Sequence, residues 1–148
     1  MGRLTTVLVF AYRPWAKDIY HRAVARHHKK FQFILVSDKD MVEQSITEHK
    51  PKHIFFLGWS WIIPEKVVDN NLCLCLHPSP LPKYRGGSPL QHQILNNEKE
   101  GAVTLFHMNK GIDTGDIWYQ EKISLEGSLD KIFLRITEAG YSSKTRRQ

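Results

Sequence analysis

Short, nearly continuous apolar runs separated by amphipathic stretches fill the first half of the chain. Thr5 to Phe10 (TTVLVF), Phe31 to Val36 (FQFILV), His53 to Leu57 (HIFFL) and Leu72 to Leu76 read as β-strands, because β-branched and aromatic runs of this length suit a buried pleated surface. Helical patterns lie between them. Ala16 to Arg26 sets Ile19, Ala23 and Val24 on one stripe. Ser37-Asp38 supplies capping residues for a helix over Met41 to His49, which Pro51 closes. Gly58 to Ile63 reads as a loop, and Pro64 suits the first turn of a brief helix ending near Asn70. The order β-α-β-α-β-α-β with apolar strands predicts an α/β fold. It is a Rossmann-like, mostly parallel sheet with helices on both faces and right-handed crossovers.

The second half is punctuated differently. Pro78, Pro80, Pro82 and Pro89, together with Gly86-Gly87, exclude helix and sheet interior from that stretch. Ser88 stands where it can cap a helix reaching Asn96-Asn97. Val103 to Met108 and Ile117 to Ile123 read as strands around a tight loop, Asn109 to Gly115. Ser128 opens a last helix through Ala139, with Ile132, Phe133 and Ile136 as its apolar side. Ligands of such sheets sit beyond the carboxyl ends of the strands. The loops at 11–15, 58–64, 77–89 and 109–116 all follow strands, so function is sought there.

Length and charge narrow the picture. A chain of 148 residues predicts one domain, 1–148, with a core of its own. No apolar run approaches the ~18 residues of a membrane span, and residues 1–7 lack the apolar core of a secretory signal. Cys73 and Cys75 are too close to bridge a useful loop, so the cytoplasm is the expected compartment. The net charge of +6 suits a polyanionic partner such as RNA, a nucleotide or a polyglutamylated cofactor. Much of it sits in Arg22, Arg26, Lys29 and Lys30, and in Lys144, Arg146 and Arg147. Runs of this kind are commonly solvated helix faces or tails, and no aromatic-rich basic stripe accompanies them.

Candidate chemistry gathers at the end of the fourth strand. The exit of the first strand (Phe10-Ala11-Tyr12-Arg13-Pro14-Trp15) has no glycine, which excludes a dinucleotide fingerprint and a P-loop. Period-2 geometry puts Cys73, Cys75 and His77 on one face, with Leu74 and Leu76 on the other. Thiolate and imidazole suit zinc, but strand residues two apart are spaced by ~6.6 Å, awkward for one tetrahedral ion. Small buried cysteines serve equally well as core residues. His77, at the mouth of the strand, is a candidate general base or charge stabiliser that needs an orienting carboxylate. Asp113, bracketed by Gly111 and Gly115, can supply it, or can merely close an Asx-turn on its own backbone.

Three blocks then carry a resemblance: His77-Pro-Ser79-Pro-Leu-Pro82-Lys-Tyr-Arg85-Gly86-Gly87, Pro89-Leu90-Gln91, and Gly111-Ile112-Asp113-Thr-Gly115-Asp116-Ile. Together they resemble the catalytic core of the 10-formyltetrahydrofolate-dependent formyltransferases, the family of methionyl-tRNA formyltransferase and the sugar N-formyltransferases. The resemblance is strong over about 53–138 and weak before it. Gly58 to Pro64 resembles the folate-side loop, and Asp113 follows His77 by the 36 residues that the family's pattern expects. In that family an asparagine stands two residues before the histidine and helps hold the oxyanion; here the position is Cys75, a poor donor. The chain also lacks a βα unit between its second and third strands, and no C-terminal domain is expected after a last helix that looks cut short.

The resemblance implies formyl transfer from 10-formyltetrahydrofolate, as co-substrate, to a primary amine. His77 and Asp113 are the implied catalytic pair, with Cys75 at the asparagine position. Trp59, Ile62, Ile63, Gly111, Ile112, Gly115 and Asp116 are expected on the folate, and Ser79, Arg85 and Gly86 on the acceptor. No metal is implied. The preferred acceptor is a nucleotide-linked amino sugar, because a methionyl-tRNA acceptor is served in part by a C-terminal domain; methionyl-tRNA is the alternative. A folate- or nucleotide-binding remnant without catalysis is the third reading. The exposed apolar side left by a short last helix makes a homodimer an expected partner state.

Overall fold

The computed structural model describes residues 4–146. Its elements are β1 (Thr5–Ala11), α1 (Pro14–His27), β2 (Phe31–Val36), a 3-10 turn (Lys39–Met41), α2 (Val42–His49), β3 (His53–Leu57), α3 (Glu65–Asn70), β4 (Cys73–His77), α4 (Pro89–Leu95), β5 (Glu100–His107), β6 (Ile117–Ser124) and α5 (Leu129–Arg146). They build a six-stranded sheet in the order β2-β1-β3-β4-β5-β6. The first four strands are parallel, as repeated β-α-β crossovers require. β5 then runs antiparallel to β4, and β6 antiparallel to β5.

Alternation along the strands divides the core in two. Val7, Val9, Leu74 and Leu76 face α1 and α5, where they meet Ile19, Ile132 and Ile136. Leu8, Phe10, Phe56, Cys73 and Cys75 face the other way, against Val42 of α2 and Val67 of α3. Each such side chain, fully buried, contributes about 1.5–3 kcal/mol. Gly140 lets α5 lie close: a Cβ there would fall 2.6 Å from side-chain carbons of Ile19 and Leu76.

Three local expectations change. Ser88 holds the position before α4, but its backbone is left-handed (φ 55°) and its side chain makes no capping bond. At the start of the 3-10 turn, Asp38 alone caps, accepting the Asp40 N–H at 2.9 Å, while the Ser37 hydroxyl donates to the Ala11 carbonyl at 2.7 Å. The last helix is not cut short near Ala139. It continues to Arg146, because residues 129–146 contain no Pro and lie along α1. Leu129 and Leu134 of this helix keep about half of their surface exposed. Among the described residues no helix is long and apolar enough to cross a membrane.

Candidate active site

His77 ends β4, one of the two central strands, whose carboxyl end opens toward the Pro-rich loop. Its Nε2 lies 2.8 Å from the Tyr84 carbonyl. A carbonyl only accepts, so Nε2 carries a hydrogen and Nδ1 is the nitrogen left for chemistry. Nδ1 stands 3.5 Å from Oδ2 of Asp113, and both side chains are largely buried. The loop that supplies Tyr84 is pinned from below. The Ser79 hydroxyl donates to the Lys83 carbonyl at 2.8 Å, and Thr104 of β5 donates to the Ser79 carbonyl at 2.7 Å. The Gln93 amide donates to the Pro78 and Pro89 carbonyls, each at 2.9 Å.

Asp113 arrives by an unexpected route. Because β5 is antiparallel, its end at His107 lies opposite Leu74 at the start of β4, at the edge of the sheet away from the cleft. The 108–116 loop therefore climbs back along the sheet before β6 begins. Asn109, not Asp113, closes the Asx-turn: its side-chain oxygen accepts the Gly111 N–H at 2.8 Å and the Thr114 hydroxyl at 2.9 Å. Asp113 is held left-handed (φ 53°), a conformation costing about 1–3 kcal/mol for most residues and persisting where the surroundings impose it. Its carboxylate accepts the Gly86 N–H at 2.8 Å, which ties the two loops together.

A cleft of about 420 Å³ opens beside the pair. Of the residues expected there, His77, Asp113, Cys75, Trp59, Ile62, Ile63, Gly111, Ile112 and Gly86 line it. Four do not. Ser79 is fully buried beneath the loop, where its hydroxyl braces backbone. Arg85 is exposed and outside the wall. Gly115 and Asp116 lie at the return of the 108–116 loop: a Cβ on Gly115 would collide with the His107 carbonyl oxygen, and the Asp116 carbonyl accepts the His107 N–H at 2.8 Å. Those two positions shape the loop rather than the wall. Arg13, Met108 and Phe133 line the cleft without having been expected there: Phe133 was read only as part of the apolar side of the last helix, and Arg13 sits in a loop that the strand order had marked.

Burial, then the Asp113 charge, then Cys73 push the Cys75 thiol well above its ordinary range. Cys73, packed under α3 with its sulfur 3.9 Å from the Val67 carbonyl, is pushed up to about 12 by burial. Both thiols stay protonated at neutral pH. Among the described residues no three His, Cys, Asp or Glu side chains are grouped as a metal site.

Residues 7–142 match the formyl transferase family. The chain is 39% identical over 114 residues to the methionyl-tRNA formyltransferase of Campylobacter curvus, covering 77% of this chain and 38% of that protein. The Nitratiruptor counterpart is 36% identical, covering 70% of this chain and 34% of that protein. Among solved structures, methionyl-tRNA formyltransferase from Clostridium thermocellum superposes with a TM-score of 0.86 at 28% identity, over 97% of this chain and 63% of that one. A phosphoribosylglycinamide formyltransferase from Bacillus halodurans shares the fold, with a TM-score of 0.72 at 19% identity over 93% of this chain and 90% of that one. This chain thus spans well under half the length of those two curated relatives. On the breadth of the match and the placement of its blocks around one cleft, the chain belongs to the formyl transferase family.

Proposed function

We propose that this chain transfers the formyl group of 10-formyltetrahydrofolate to a primary amine, and that the amine is that of methionyl-tRNA. The reaction joins the acceptor nitrogen to the formyl carbon and breaks the bond from that carbon to N10, while one proton passes from the amine to N10. Nδ1 of His77 is placed for that proton. With Nε2 committed to Tyr84, Nδ1 is the base that takes it, and the imidazolium so formed faces the Asp113 carboxylate. The same Nδ1–H can steady the oxyanion that develops on the formyl oxygen, which matters because the Cys75 thiol is a weak donor. The apolar stretch Trp59 to Ile63 offers a wall for a pterin, and the backbone at Gly111 and Ile112 offers polar edges. The volume falls in the range of small-molecule clefts, about 300–1,000 Å³.

One observation carries the reading: an imidazole with a single free nitrogen, set against a carboxylate that a left-handed backbone holds in place. For the acceptor, the two curated relatives and the Clostridium thermocellum structure are all named as methionyl-tRNA formyltransferases, which favours tRNA over the amino sugar that the sequence preferred. The test is release of tetrahydrofolate with methionyl-tRNA as acceptor. His77→Ala and Asp113→Ala should each lower kcat by about 10²–10⁴-fold. Normal rates in both variants would refute the assigned roles. A second reading, binding without turnover, rests on Cys75. Cys75→Asn should raise kcat by roughly 10²-fold if a missing oxyanion donor is all that limits the site; no turnover in either form favours the binding role.

A further inference from the structure

The helix that leaves the cleft carries charge that the fold does not use. α1 begins where Arg13 and Trp15 line the cleft and ends before β2, toward the opposite edge of the sheet. Its 14 residues span about 21 Å. One side of it is committed: Trp15, Ala16, Ile19 and Ala23 are buried, and the helix packs there against α5. The other side is open. Arg22 and Arg26 stand one helical turn apart on it, Lys29 and Lys30 follow just past its end, and all four are exposed. Among the described residues none of the four makes an ion pair, a side-chain hydrogen bond or a ring contact. Other cations are engaged. Lys66 pairs with Glu43, Lys110 with Glu65, Arg135 donates to the Ser124 carbonyl, and Arg13 is held by Tyr12 and Ser60. Asp18, the one carboxylate of α1, stands a turn before Arg22 and forms no ion pair with it.

A helix dipole favours cations near the last turn, where Arg26 stands, but it gives no reason for Arg22 farther in, nor for four like charges that no carboxylate offsets. The apolar side of α1 faces the core, so the helix has no face to insert into a lipid surface. A polyanion lying along it needs none. We propose that Arg22, Arg26, Lys29 and Lys30 form a track for the phosphate backbone of an RNA whose aminoacyl end enters the cleft. The helix sets the geometry: Arg22 and Arg26 are about 6 Å apart along an axis that starts at the cleft mouth and leads away from it. Contacts to phosphates add affinity without reading sequence, and flexible exposed side chains suffice for them. The track rests on the methionyl-tRNA reading above for what the RNA is; the binding itself needs no turnover.

The experiment is fluorescence anisotropy of a labelled, uncharged initiator tRNA transcript titrated with the protein between about 50 and 200 mM salt. Two triple variants are compared. Arg22→Gln/Arg26→Gln/Lys30→Gln empties the track, and Lys99→Gln/Lys122→Gln/Lys131→Gln removes the same charge from exposed positions elsewhere. The track variant should bind roughly tenfold more weakly at low salt, and the slope of log affinity against log salt should fall by about 2–3. The other triple should stay within about twofold of wild type, and both should melt like wild type and bind 5-formyltetrahydrofolate unchanged. With methionyl-tRNA as acceptor, the track variant should raise KM and keep kcat at saturation. Equal weakening by the two triples means that net charge alone attracts the RNA, and overturns the proposal. So does a transcript that fails to bind at low salt, or binding to phosphatidylglycerol vesicles in place of RNA. Formyl transfer to methionyl-tRNA with an unchanged KM in the track variant overturns the track and leaves the function standing. Track-dependent tRNA binding without formyl transfer counts against the function and not against the track.

Discussion

Asp113 concentrates what single residues do in this protein. Its left-handed backbone, its bond from the Gly86 N–H and its approach to His77 all depend on one short side chain. Asparagine tolerates the same backbone and can still accept from Gly86, but it carries no charge. Asp113→Asn should therefore melt within a few degrees of wild type yet lose about 10²-fold or more in kcat, measured by thermal melts beside steady-state rates. The buried thiols make a second prediction at this scale. Their folded pKa values lie above the unfolded value near 9, so the unfolded chain binds fewer protons at high pH. Stability is thus intact below about pH 9 and falls as pH rises toward about 12, by about 1.4 kcal/mol per pH unit for each thiol. Urea titrations between pH 8 and pH 11 should show the fall, and Cys73→Ala should halve its slope.

At the scale of elements, the decisive feature is the reversal at β5. The apolar runs of β2 and β3 coincide with the expected strands residue for residue, because a buried parallel strand announces itself by composition alone. Strand direction leaves no such mark. Val103 to Phe106 would look the same running either way, so the climb of the 108–116 loop back to His77 was not legible, even though the residue that ends the climb was. Gly115 was legible as a glycine of interest and misplaced for the same reason: its role is clearance from the His107 carbonyl, where the two ends of the loop meet. Gly115→Ala should displace the loop and with it Asp113. The expected result is a loss of kcat approaching that of Asp113→Ala, and nuclear magnetic resonance should show shifts in residues 107–117 and in their partners His77 and Gly86. A Gly115→Ala enzyme with normal kcat would separate the loop's return from the site.

Over the whole molecule, core and cleft share a wall. Ile136 of α5 is fully buried in the cluster against α1 and also lines the cleft, as Phe133 does. Ile136→Ala should cost about 2–5 kcal/mol of stability and change the affinity for folate analogues as well, since the space it vacates joins the cleft. Chemical denaturation and ligand titration on one preparation check both. Charge is divided along the sheet in the other sense. Lys29 and Lys30, part of the cation cluster that the sequence marked, precede β2 at the edge away from the cleft. The clustering was legible in the sequence, but its distance from the chemistry was not, because position across a sheet follows from topology.

The turn at Asn96 and Asn97, between α4 and β5, has one further consequence. It lies between the imidazole and its carboxylate along the polymer, and Asn97 is already left-handed (φ 59°) at the tip of that turn. Cleaving the chain there would yield one fragment holding His77 and another holding Asp113, each inert by itself. Their recombination through the β4–β5 ladder would restore the pair, so this topology lends itself to a split reporter in which catalysis signals reassembly of the two halves.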